Sequence, residues 1–234
     1  MYITVSKEAI LVLIKFRVQG ALRYICHAEM LKIFQRACAR AGIKIQHSRG
    51  FNPRPRLSLP LPRPVGIESD GDLLCFRVEH DQNEPQAREY KSLIKDKLSA
   101  QLPAGCELLS VEGSEAKSTP QPRCVTYILS VRPEYADNRL KETIKLLSER
   151  KHIIVERKID AEKSKIENQK SKIKEVDVRT FLKSIELDDR GVIVECKVTS
   201  AGSIRVDEIL KLLEIDVEKL TAPVKRTNIQ WQEV

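Results

Sequence analysis

The stretch Ile10-Leu11-Val12-Leu13-Ile14-Lys15-Phe16-Arg17-Val18 decides how the chain is read. Ile10, Val12, Ile14, Phe16 and Val18 fall on one side of an extended backbone, and Leu11, Leu13, Lys15 and Arg17 on the other. That is the period-two pattern of a strand with one wholly buried face. After Gly20 the period changes. Met30, Leu31, Phe34, Cys38 and Ala41 recur at helical spacing over residues 27–41, and Gly42 stands where such a helix stops. A Pro-rich passage leads to a second alternating segment at 73–79, with Leu74, Phe76 and Val78 inward. Pro85 opens a second helix carrying Tyr90, Ile94 and Leu98, and 105–111 supplies a further strand.

With a strand after the Pro-rich ribbon, anchored inward by Leu57, Leu59 and Leu61, the order is βαββαβ, and the second half repeats it in outline. A strand at 124–132 precedes a helix capped by Asp137 that carries Leu140, Ile144 and Leu147, and a strand at 152–157 follows. Later strand, helix and strand segments fall near 192–198, 205–213 and 223–229. The expected fold class is α+β, two tandem ferredoxin-like units with antiparallel sheets at 1–113 and 124–234. The Ser-, Pro- and charge-rich stretch 112–123 is the expected linker. Residues 158–174, Lys-rich and containing Ser-Lys-Ile twice, read as an exposed loop or extended hairpin.

Charge is distributed unevenly along this framework. Between Lys15 and Gly66 there are eleven Lys or Arg residues and one acid, Glu29, in a chain whose formal net charge is +8, so the remainder is slightly acidic. Such a block repels itself unless a fold spreads it out or an anionic partner neutralises it. The longest wholly apolar run, residues 9–14, is too short for a secretory h-region or a membrane span, and the chain reads as soluble and cytoplasmic. Six scattered cysteines, none in a CxxC pair, read as small buried hydrophobes in a reducing compartment, and no metal site is expected.

Three segments could carry function. On the helix 27–41, Lys32, Arg36 and Arg40 recur every four residues and line one side, away from Met30 and Phe34. Like charges at that spacing cost on the order of a few tenths of a kcal/mol per pair, so helix stability does not explain them. In Gly50-Phe51-Asn52-Pro53-Arg54-Pro55-Arg56 the prolines hold the backbone extended, so Arg54 and Arg56 project to one side. Guanidinium forks on a stiffened ribbon suit phosphate. Together with Lys15, Arg17, Arg23 and Arg49 these residues form the expected nucleic-acid-binding set, on the expectation that they gather in one cationic groove. Solvated arginines on a packing loop are the alternative.

His27 falls at the start of its helix and, with Tyr24 to position substrate and arginines to meet phosphorane charge, could act as acid or base in metal-independent RNA cleavage. A ring packed beside Met30 and Leu31 is the alternative. No P-loop, HExxH, GxSxG or paired-carboxylate signature is present.

The run Leu22-Arg23-Tyr24-Ile25-Cys26-His27, then Ser48 through Ser58 and Pro64-Val65-Gly66-Ile67-Glu68-Ser69, resembles the bacterial radical SAM-associated domain of unknown function, found fused to or encoded beside radical SAM proteins. Val176-Asp177-Val178-Arg179 and Gly202-Ser203-Ile204-Arg205 extend the resemblance. It departs where Cys26 stands in place of a helix-capping serine, which predicts a weakened cap. The resemblance implies a radical SAM enzyme as partner, with S-adenosylmethionine and an iron–sulfur cluster bound by that partner. No CxxxCxxC motif or cofactor is expected in this chain. The leading expectation is a noncatalytic accessory protein that binds nucleic acid, such as tRNA or another structured RNA. An RNA endonuclease using His27, or a docking module for the radical SAM protein, are the alternatives.

Overall fold

The computed structural model describes residues 9–79, 87–116, 118–159 and 172–232. The protein is mixed α+β, with mostly antiparallel strands and four α-helices among the described residues. Along the chain come β1 (Ala9–Val18), α1 (His27–Arg40), β2 (Leu57–Ser58), β3 (Glu68–Glu79), α2 (Ala87–Ser99), β4 (Cys106–Ser114) and β5 (Pro122–Leu129). Then follow α3 (Asn138–Glu149), β6 (Ile154–Ile159), β7 (Lys172–Asp177), β8 (Leu182–Asp188), β9 (Gly191–Lys197), α4 (Val206–Leu212) and β10 (Lys225–Trp231). Two compact units emerge, 1–123 with 224–234, and 124–223, so the terminal strand counts with the first.

In the first unit β1 is central, antiparallel to β3 on one side and β4 on the other. Leu57 and Ser58 of β2 pair with Phe76 and Cys75 of β3, while β10 runs parallel to the start of β3 at Glu68 and Ser69. The alternation in β1 works as read. Val12, Ile14, Phe16 and Val18 join Leu74, Phe76 and Val78 of β3 beneath Met30, Phe34 and Ala37 of α1 and Ile94 and Leu98 of α2. The rings of Phe16 and Phe34 meet edge to face, centroids 4.7 Å apart. Gly42, at φ +69°, ends α1, and the Ile43 N–H returns to the Cys38 carbonyl at 3.0 Å.

In the second unit β9 pairs with both β5 and β8, whereas β6 and β7 form a two-stranded sheet of their own. Asp137 caps α3 as expected, its carboxylate accepting the Leu140 N–H at 2.9 Å.

The two tandem ferredoxin-like units are not confirmed. The first unit shows the expected succession of strands and helices, but in the second the β6–β7 hairpin stands apart from the sheet that holds β8 and β9. Element edges also moved. β3 begins at Glu68, β4 runs on to Ser114 and β5 begins at Pro122, so strands take up both ends of the expected 112–123 linker. The expected helix start at Pro85, and most of the 158–174 loop, lie outside the described residues.

Candidate nucleic-acid interface

Three of the predicted arginines share one hairpin. The Gln46 N–H donates to the Arg77 carbonyl (2.8 Å), anchoring the segment on β3, and the Arg56 N–H donates to the Gln46 carbonyl (2.7 Å). Nearer the tip, the Ser48 N–H donates to the Arg54 carbonyl (2.8 Å), and the Ser48 hydroxyl accepts the Arg54 N–H (2.9 Å). The ribbon read from the prolines is therefore one arm of a hydrogen-bonded hairpin. Gly50 takes φ +141° at its turn. Arg49, Arg54 and Arg56 are exposed, and the Arg56 guanidinium donates to the Gln46 amide oxygen at 3.4 Å. Phe51 at the tip is fully exposed.

Lys32, Arg36 and Arg40 are exposed along α1, as their spacing predicts. Arg40 is tied to Gln101, donating to its side-chain oxygen at 3.0 Å and its carbonyl at 2.7 Å. At the start of α1, Glu29 accepts the Cys26 N–H at 3.0 Å. That bond, with a further one from the Cys26 side chain, holds the Glu29 carboxyl below its ordinary range. The acidic half of the capping box thus survives the loss of a capping serine, and α1 begins at His27 as expected.

Arg23 lies on the short 3-10 turn Gly20–Tyr24, its guanidinium 4.4 Å from the Tyr24 ring centroid and bonded to the Tyr24 hydroxyl at 2.7 Å. Tyr24 itself is exposed. His27 is half-buried beside Ile25, Met30, Leu59 and Leu61, at a cavity of about 10 Å³. That space holds about one water and no nucleotide.

Lys15 and Arg17 do not join these groups. Both project from the face of β1 opposite α1, because they occupy odd positions while the even ones pack under the helix. Lys15 lines a groove there with Leu11, Leu13 and Leu73. Arg17 is paired twice, to Asp70 at 2.8 Å and Glu107 at 2.7 Å, and the Asp70 bond leads the causes that raise its pKa. The single groove is thus replaced by a hairpin, a helix stripe, the Arg23–Tyr24 corner and a pair on the far face.

One charged cluster escaped the sequence reading. Arg226 of β10 is wholly buried and clasps Asp72 of β3 at 2.7 Å and 3.2 Å, donating also to the Pro62 carbonyl at 2.8 Å. Ser69 bonds the same carboxylate. Arg63 lies 3.9 Å from Asp72, its remaining donors spent on carbonyls that include Leu22, Arg23, Ile25 and Ile67. Burial lowers the Arg63 pKa, with Asp72 opposing. Arg63, counted in the basic block, is therefore a structural residue that ties the 61–67 loop to the start of α1. The signal for it was Asp72 falling in the same alternating register as the inward Leu74, Phe76 and Val78 of β3.

All six cysteines are free, four of them buried, and burial pushes the thiols of Cys38, Cys75 and Cys106 up to about 12. Among the described residues no group of three or more His, Cys, Asp or Glu side chains could hold a metal ion. No described helix is long and apolar enough to cross a membrane.

No curated protein matches the chain significantly. A crystal structure named "Putative Chlorite dismutase TA0507" is similar at 10% identity, covering 97% of this chain and 95% of that one, with a TM-score of 0.25. A family model described as "Uncharacterized protein conserved in bacteria (DUF2344)" matches residues 12–214. With most of its length inside that match, the chain belongs to this family of bacterial proteins.

Proposed function

We propose that this protein is a noncatalytic accessory that binds structured RNA, tRNA being one such molecule, and works beside a radical SAM enzyme. The observation that carries the RNA reading is the hairpin 46–56, where Arg49, Arg54 and Arg56 stand exposed and, among the described residues, without an acidic partner. Arg17 shows the contrast, its guanidinium paired to both Asp70 and Glu107. The stripe of Lys32, Arg36 and Arg40 on α1 adds cationic surface, tempered by Glu29 near Lys32. The radical SAM partner is supported by the sequence resemblance alone.

Six phosphate contacts from the hairpin and the stripe give a log–log salt slope of roughly −4 to −5. Gel-shift titration of tRNA at several salt concentrations measures it. The Arg49/Arg54/Arg56→Ala variant should bind more weakly and with a shallower slope, and equal binding by that variant and the unmodified chain would reject the reading. Copurification of a radical SAM protein that survives nuclease treatment tests the partnership separately.

A further inference from the structure

Among the described residues Phe51 is the most exposed of the large hydrophobic side chains, at 107% of its reference surface. Burying a phenylalanine is a large apolar gain, and the fold draws nothing from this one. Yet the loop that carries it is closed at its base. The rungs Gln46–Arg56 and Ser48–Arg54, the Ser48 hydroxyl bond and the anchor on Arg77 hold both arms, and Pro53 and Pro55 stiffen the returning one. The ring therefore projects from a short tip, residues 49–53, that the Ser48–Arg54 rung closes, and less of its ordering remains to be lost on binding than in an open loop. Arg49 stands two residues before it, with Arg54 and Arg56 on the same hairpin.

We infer that Phe51 stacks on an unpaired base of the bound RNA while Arg49, Arg54 and Arg56 hold the phosphates beside it, which rests on the RNA reading above and narrows its ligand to loops, bulges or single-stranded ends. A base inside a duplex offers no free face, whereas an unpaired one can be splayed onto an aromatic ring without sequence preference. A lone aromatic suffices for one base. It is poor for a membrane, where insertion draws on a wider apolar face, and the rest of this tip is Gly50, Asn52, Pro53 and arginine.

The test uses the full chain and two RNA probes, a stem-loop with 2-aminopurine in its loop and a blunt duplex of equal length. The unmodified chain should bind the stem-loop and change the 2-aminopurine fluorescence. Phe51→Ala should weaken stem-loop binding about tenfold and abolish that change, while duplex binding stays within about twofold. Phe51→Trp should retain both, and the Arg49/Arg54/Arg56→Ala variant should lose affinity for both probes. Phe51→Ala binding the stem-loop like the unmodified chain overturns the stacking and leaves RNA binding standing, whereas no binding of either probe by the unmodified chain overturns the RNA reading itself. Sedimentation with phosphatidylserine vesicles that Phe51→Ala abolishes, with RNA binding unchanged, transfers the tip to a membrane and also overturns the proposal. An unchanged melting temperature establishes that Phe51→Ala remains folded.

Discussion

Asp72 has two buried arginines to satisfy and one carboxylate to do it with. Removing it leaves Arg63 and Arg226 facing each other without a counter-charge, and breaking a buried pair in this way costs about 3–5 kcal/mol. Urea denaturation of Asp72→Ala should show that loss, and less than about 1 kcal/mol would contradict the role given to the cluster. Asp72→Asn combined with Arg226→Met should cost less than the two single changes added together, because one empties the need for the other. In the second unit Glu208 is the counterpart. Burial resists its ionisation, but two bonds from Arg157 at 2.7 Å and 2.9 Å and one from the Arg205 N–H prevail, and its pKa is lowered from 4.5. A carboxylate whose folded pKa lies below its unfolded one stabilises the fold above the unfolded value, and that contribution disappears as pH falls through the folded one. Stability should therefore decline with acid from about pH 4.5 downward, and Glu208→Gln should flatten that decline in pH-dependent denaturation. A decline of equal steepness in the variant would mean other carboxylates carry it.

At the scale of elements, two glycines separate conformational from steric demand. Gly42 at φ +69° has open space around the site of a missing Cβ, so Gly42→Ala pays only for the left-handed backbone, about 1 kcal/mol. Gly105 at φ +89° would place a Cβ 2.5 Å from the Gln19 carbonyl oxygen, where the Gln19 N–H also bonds the Gly105 carbonyl and joins the end of β1 to the start of β4. Gly105→Ala should cost roughly 2 kcal/mol or more. Thermal unfolding ranks the pair, and the reverse order would refute this account of the β1–β4 corner. Elements with strong periodicity were legible from the sequence: β1, α1 with its Gly42 stop, and α3 with its Asp137 cap all formed close to where their residues place them. β2 was legible in part, since Leu57, Leu59 and Leu61 suggested an inward-facing strand, of which Leu57 and Ser58 pair with Phe76 and Cys75. The hairpin 46–56 was half legible. Its prolines announced an extended arm, but the rungs that close it join backbone atoms and Ser48, which no side-chain pattern reports.

For the molecule as a whole, charge counted along the chain differs from charge presented on a surface. Eleven basic residues in one stretch look like a single footprint, but β1 sends Lys15 and Arg17 to the face away from α1, and Arg63 is folded inward. Strand alternation in β1 already implied the first division, since Phe16 cannot be inward unless Lys15 and Arg17 face away. The fate of Arg63 depended on Arg226 and Asp72, distant in sequence. The division is measurable. Arg17→Ala should leave RNA affinity and its salt slope unchanged, whereas the hairpin triple variant should lower the slope by roughly 2 to 3. Equal effects from both would restore a footprint that spans the sheet.

The clasp between Arg226 and Asp72 also orders events at the ribosome. Residues 9–116 hold most of the first core, but Asp72 has no Arg226 to receive until synthesis has passed position 226, about a hundred residues after β4 is complete. A nascent chain must carry that half-built clasp throughout translation of the second unit. Arrested nascent chains that end before residue 226, or that carry a flexible linker after the last residue long enough to bring Arg226 out of the exit tunnel, should then differ in protease resistance across β3, the longer one being protected.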